Sequence, residues 1–276
     1  MSRPDDTADT ADETTEGTGA AERPLGEVTH REVGAELGAT VAALTADDIE
    51  PAGRRQLLGR LVNDIRRSGL GQLFRPRAAM RWMADTVGQV APHVPVRDRA
   101  TLQQHFPGLS DDDLAERLVR NAARATAGVG AAGGGVASVE WLAAPMLLST
   151  PVLLAAETVA VVAVELKLIG ELHEIYGQPV AGTATHRAAA LIQSWTQQRG
   201  VNPLVPGVGV ASVLGTAARK ELQGTLLRRF GRNLTTLGPL LTGAAVASYL
   251  NRRATRNLGE HIKKDLRKRR PELPSA

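Results

Sequence analysis

The strongest candidates for chemistry are the acidic residues in and beside one long apolar run. Glu157 sits within Val152–Val164, which is otherwise made of apolar and small residues, and a carboxylate buried there without a partner would be costly. Glu165 follows eight residues later, about 80° round a helix. Continuing that helix to Tyr176 adds Lys167, Glu171, His173 and Glu174. Two readings follow from this pattern. In one, Glu157, Glu165 and Glu174 form a polar site for a lipid head group, a cation or a proton inside a helical bundle. In the other, they are interhelical ion pairs that fix register, with Arg117, Arg120 or Arg124 of the preceding helix as partners.

Other chemistries lack their residues. The chain of 276 residues has no cysteine, so disulfides, thiolate metal sites and a catalytic thiol are excluded. Gly128-Val129-Gly130-Ala131-Ala132-Gly133 fits G-x-G-x-x-G, but that motif binds a dinucleotide only between a strand and a helix. Here Asp111 to Ala127 reads as helix, so the match is incidental. There is no G-x-x-x-x-G-K-[ST] sequence and no Gly-x-Ser-x-Gly elbow. His173-Glu174 would need a histidine at 177, which is Gly177, and the six histidines form no i, i+4 pair. No metal and no cofactor is therefore expected.

The elements that must position the carboxylates are helical. Hydrophobic residues make up 43% of the chain and aromatics only 3%, with 28 glycines. A core of Leu, Val, Ile and Ala with much glycine suits closely packed helices, and the chain is expected to be all-α, a multi-helix bundle. Residues 1–24 carry seven acids and little that is apolar, and are expected to form a disordered tail with none of the features of a signal peptide. Residues 25–107 read as a small helical region. One helix there carries Leu57, Leu58, Leu61, Val62 and Ile65 and stops at Ser68-Gly69; another runs from Pro76 to Val90. Ser110 caps the next helix, and Asp111, Asp112 and Asp113 fill its first turn. A larger helical domain spans 108–270, and 271–276 form a flexible end.

Within that domain, charge is absent from Ala125 to Val139, from Gly200 to Ala218 and from Asn233 to Asn251, and only Glu157 interrupts Trp141 to Val164. Each stretch nears the length of a bilayer crossing, but proline, glycine or Glu157 spoils each as a spanning helix. Gly130 and Gly134, Gly207-Ala211-Gly215, and Gly243 and Ala247 are small residues four apart, a spacing that lets helices approach closely. Arginines cluster at the edges of these stretches. The chain then ends in a basic helix, in which Leu250, Ala254, Leu258, Ile262 and Leu266 form one apolar stripe. Arg252, Arg253, Arg256, Lys263, Lys264, Arg267 and Lys268 make its basic face. Such a helix either binds an anionic membrane surface or packs its stripe on the core with the basic face in water.

Three segments resemble the EcsC-like family over about residues 108–268. They are Leu109–Val119 leading into Ala122–Gly130, Glu165–Ile169 running to Glu174-Ile175-Tyr176-Gly177, and Gly238–Ala245 continuing to Asn251–Gly259. The resemblance implies a helical, membrane-associated protein; the family takes its name from a protein encoded with an ABC-type exporter. It transfers no catalytic residue. Any polar site it implies maps to Glu165, Glu174, Tyr176, Asn251 and Thr255. The resulting expectation is a non-enzymatic protein that binds a membrane surface or a membrane protein complex from the cytoplasmic side. It is peripheral to the membrane or partly inserted, with no specific nucleic-acid partner. The alternatives are an enzyme or small-ligand binder using Glu157, Glu165 and Glu174, and a soluble helical scaffold that homo-oligomerises.

Overall fold

A computed structural model of the protein describes residues 25–73, 76–143, 150–199 and 239–269. The acidic tail, the Gly207-Ala211-Gly215 stripe and the C-terminal end lie outside the described residues. The described chain is all-α. Helices α1 (Leu25–Leu44), α2 (Pro51–Leu73) and α3 (Pro76–Val90) are followed by a 3-10 turn at Ala91–His93. Then come α4 (Arg99–His105), α5 (Asp111–Ala143), α6 (Thr150–Ile175), α7 (Ala184–Gln198) and α8 (Pro239–Arg269). Helix α2 passes through Ser68-Gly69 and ends four residues later than the sequence predicts. A single interior glycine costs a helix only about 1 kcal/mol, whereas the next proline, Pro76, opens α3 instead.

The expected start of α5 is present. Gly108 takes a positive φ of 78° in the turn before it. The Asp113 amide then donates to Ser110 Oγ at 3.2 Å, and Ser110 Oγ donates to the Asp113 carboxylate at 2.6 Å. Ser110→Ala should lower stability by about 1 kcal/mol, measured as a shift in the thermal midpoint. At the other end of the site, α6 closes on Gly177, whose φ is 70°. The Gln178 amide donates to His173 O and the Gly177 amide to Glu174 O, the paired bonds that terminate a helix on a left-handed residue.

Three long helices carry the core. Helix α8 runs antiparallel to α5 in one register: Gly134 meets Ala244, Gly130 meets Ala247 and Ser248, Gly259 meets Val119, and Lys263 reaches Glu116. Helix α6 is also antiparallel to α5, with Glu157 against Gly133 and Tyr176 bonded to Asp112. One apolar cluster joins α5, α6, α7 and α8 through Leu118, Leu166, Ile169, Leu172, Trp195, Leu258 and Ile262. A second joins α1 and α2 to the middle of α5 and the first half of α6, through Leu44, Leu58, Leu61, Ile65, Val129, Ala156 and Val159. Residues 25–107 thus share their core with the larger helical part, and the turn at Pro107-Gly108 divides the sequence without dividing the packing.

The glycine run of α5 is interior helix throughout, with no strand before it. Helix propensity alone disfavours it, at about 1 kcal/mol per glycine. Each described glycine instead admits a different neighbour: Gly128 the Arg54 side chain, Gly130 the backbone of α8, Gly133 the Glu157 carboxyl group and Gly134 the Ala244 methyl. Two of the expected small-residue stripes therefore lie against each other, one on α5 and one on α8.

Candidate functional site

Glu165 has no exposed surface, and helices α6, α7 and α8 converge on it. Its carboxylate accepts from Trp195 Nε1 at 2.7 Å, from Thr255 Oγ1 at 2.7 Å and from the Arg199 guanidinium. Trp195 and Arg199 come from the last turn of α7 and the residue after it, while Thr255 comes from the middle of α8. A charge buried this deeply is tolerable only when paired and fully hydrogen-bonded, and three donors meet that need. The arrangement ties three helices in one register and leaves Glu165 little capacity for a further ligand.

A second polar centre lies farther along α6, where it meets the end of α1. Glu171 is buried and takes a bidentate contact from Arg97, at 2.6 and 3.0 Å. Arg97 also bridges to Asp47 at 2.8 Å. Buried Lys167 donates to Thr45 O at 2.9 Å and lies 3.6 Å from Asp47. Burial pushes the Glu171 carboxyl up, against the opposing pull of Arg97 and Lys167. Buried Arg54 donates to Leu44 O and Ala125 O. Two cations thus cover the carbonyl end of α1, where they satisfy open acceptors and the negative end of the helix dipole.

Glu157 differs from both. It is half-buried and has no hydrogen-bond or ion-pair partner among the described residues. A Cβ on Gly133 would overlap its carboxyl oxygen and come within 3.2 Å of its Cγ. The carboxyl group therefore lies in a notch made by the missing side chain. Burial pushes it up to about 7. Glu157 and Glu165 are eight residues apart, and Glu165 and Glu174 nine, or about 12 and 14 Å along one helix. The three carboxylates do not converge.

The remaining candidates are scattered. Tyr176 is buried and donates to Asp112 at 2.9 Å; burial, then that hydrogen bond, pushes its hydroxyl up to about 12. Asn251 donates to Thr126 O at 3.3 Å and helps to set the α5–α8 register. Glu174 is half-buried near the end of α6. Among the six candidates, a side-chain hydrogen bond joins Glu165 and Thr255.

The proposed partners of the α6 acids need correction. Arg120 pairs with Glu116 on its own helix at 3.6 Å, Arg117 stacks over the Phe106 ring, and Arg124 is exposed. The partners come from Arg97 and Arg199, in turns remote in sequence. No periodicity signals Arg97, Asp47, Trp195 or Arg199. The one available signal was Lys167 and Glu171, four apart and therefore on one face of an otherwise apolar helix.

The basic row of α8 also divides. Lys263 is not a surface cation: it is 5% exposed, bonded to Glu116 at 2.7 Å and to Glu260 at 2.9 Å. Arg267 is exposed but held to Asp112 at 2.7 Å. Arg252, Arg253, Arg256, Lys264 and Lys268 remain exposed. Leu258, Ile262 and Leu266 of the apolar stripe are buried in the core, so the stripe is not free to enter a membrane.

The antiparallel register gathers three of the charge-poor segments, those among the described residues, at one end of the α5–α6–α8 bundle. The second half of α5, the start of α6 and the start of α8 all lie there. Among the described residues no helix is long and apolar enough to cross a membrane. Exposed Tyr249 and Leu154 belong to this end, and exposed Arg124, Arg252 and Arg253 border it. The Asn251–Thr126 bond sets the arginines of α5 and α8 at a common level. No family model, curated protein or solved structure matches the chain. The class that fold and site define is an all-α bundle with one charge-poor end and an arginine border.

Proposed function

We propose that the protein is a non-enzymatic, membrane-associated bundle of the EcsC-like type, resting on the cytoplasmic face of an anionic bilayer through its charge-poor end. The observation that carries this reading is the convergence of three charge-poor helical segments, two without charge and one whose charge is Glu157, edged by Arg124, Arg252 and Arg253. Tyrosine and arginine favour the level of lipid head groups, where an apolar body and a polar tip are both accommodated. Tyr249, 53% exposed, stands one turn before Arg252 and Arg253. Attachment by an inserted amphipathic helix is not needed, since the stripe of α8 is used internally. The separation of Glu157, Glu165 and Glu174, and the saturation of Glu165, favour a binding role over catalysis.

Co-sedimentation with vesicles of mixed anionic and zwitterionic phospholipid at low salt tests this reading. Each basic residue near such a surface contributes about 1 kcal/mol. The triple variant R252Q/R253Q/R256Q is therefore expected to bind about a hundredfold more weakly, and added salt should weaken the wild type. Equal binding by the variant, or no binding by the wild type, overturns the proposal.

A further inference from the structure

We propose that docking of the charge-poor end is proton-coupled through Glu157, which must be neutral for this end to meet the bilayer. The inference rests on the reading above and adds a regulation to it. In sequence, Glu140 and Glu157 are the acids of the segments that form this end. Glu157 sits in the notch over Gly133, half-buried and without a polar partner among the described residues.

Among the described residues, the surrounding helices bring Glu157 no compensating charge. Helix α5 has none from Ala125 to Val139, and α8 none from Pro239 to Asn251. On α2, Arg54 is engaged with Leu44 O and Ala125 O, and Asp64 lies in the field of Glu36, Arg60 and Arg67. Arg55 is exposed and Arg66 half-buried on the same helix. On α6 itself the next charges are Glu165, held by Arg199, and Lys167, held by Thr45 O and Asp47. Burial alone raises Glu157.

The direction of the effect follows. A carboxyl group raised in the folded state contributes stability that is complete below its unfolded value and lost as pH rises through the folded one. Stability should therefore fall between the ordinary carboxylate range and about 7. Ionised Glu157 would also carry an uncompensated negative charge onto a surface that approaches anionic lipid, so binding should weaken as pH rises through and above about 7.

The test titrates vesicle binding, with the vesicles described above, from acidic to mildly alkaline pH. It compares wild type, Glu157→Gln, Glu140→Gln and His261→Gln. The last is included because histidines change charge in this range and His261 is exposed on α8. Wild type and both control variants are expected to lose about tenfold in affinity over one pH unit above the transition, while E157Q stays at its acidic value. An unchanged profile in E157Q, or a profile abolished by E140Q or H261Q, overturns the inference. Chemical denaturation without vesicles separates the two proposals. If nothing binds vesicles at any pH, the membrane reading and the coupling both fail. Denaturation still assigns the proton site, since the wild-type midpoint should fall with pH more steeply than that of E157Q. A parallel fall in E157Q rejects the assignment.

Discussion

Replacing Glu165 by alanine is expected to destabilise the protein by about 3–5 kcal/mol, the range for removing one partner of a buried ion pair. Three donors lose their acceptor at once: Trp195 Nε1, Thr255 Oγ1 and the Arg199 guanidinium. Arg199 already has a buried Nε without an acceptor, so the loss leaves a cation almost unsatisfied between α6, α7 and α8. Glu165→Gln keeps an acceptor oxygen but removes the charge. It should cost less, about 2 kcal/mol, the scale of a hydrogen bond to a charged group. Urea denaturation near neutral pH, followed by far-UV circular dichroism, checks both. If E165A is as stable as the wild type, the cluster is not what fixes the register of these helices.

Gly130→Ala is expected to be the second large effect, and its sign is the informative part. In an ordinary helix interior this change stabilises by about 1 kcal/mol. Here the new methyl would stand 2.7 Å from the Ala247 carbonyl carbon and 2.7 Å from the Ser248 amide nitrogen. These are backbone atoms of a helix packed along α5 from Glu116 to Gly134, and they cannot turn aside as a flexible side chain could. Relief requires α8 to move away, with a net cost of about 1–3 kcal/mol for overpacking. Gly59→Ala and Gly88→Ala are the controls, because a Cβ at either meets nothing within 4 Å. They should stabilise by about 0.5–1 kcal/mol. Thermal melts of the three variants would show opposite shifts, and a stabilised G130A would mean that the two helices do not approach as described.

Much of the fold was legible in local sequence. The cap at Ser110, the extent of α3 and the helical nature of the glycine run depend on neighbouring residues, and so do their sequence signals. The candidate site was legible only in part. Glu157 and Glu165 stand out alike, as carboxylates in an apolar helix, yet one has three donors and the other has none among the described residues. That difference depends on Arg199 and Trp195, thirty or more positions away, and on which face of α6 meets α7. The arginines of the preceding helix, Arg117, Arg120 and Arg124, fell on other faces.

The same division holds for the basic helix. Composition determined that α8 is amphipathic, but not what its apolar face touches. A stripe of Leu258, Ile262 and Leu266 looks the same whether it lies on lipid or on protein, since both offer an apolar surface. Tertiary packing buried it against the core, drew Lys263 inward to Glu116 and Glu260, and left Arg252, Arg253, Arg256, Lys264 and Lys268 exposed. By itself, the sequence determined that the chain is helical, that its glycines permit close approach and that charge is missing from particular segments. Only the antiparallel register of α5 with α6 and α8 decided that those segments share one end. Periodicity reports the faces of a single helix, while register between helices is set by contacts distant along the chain.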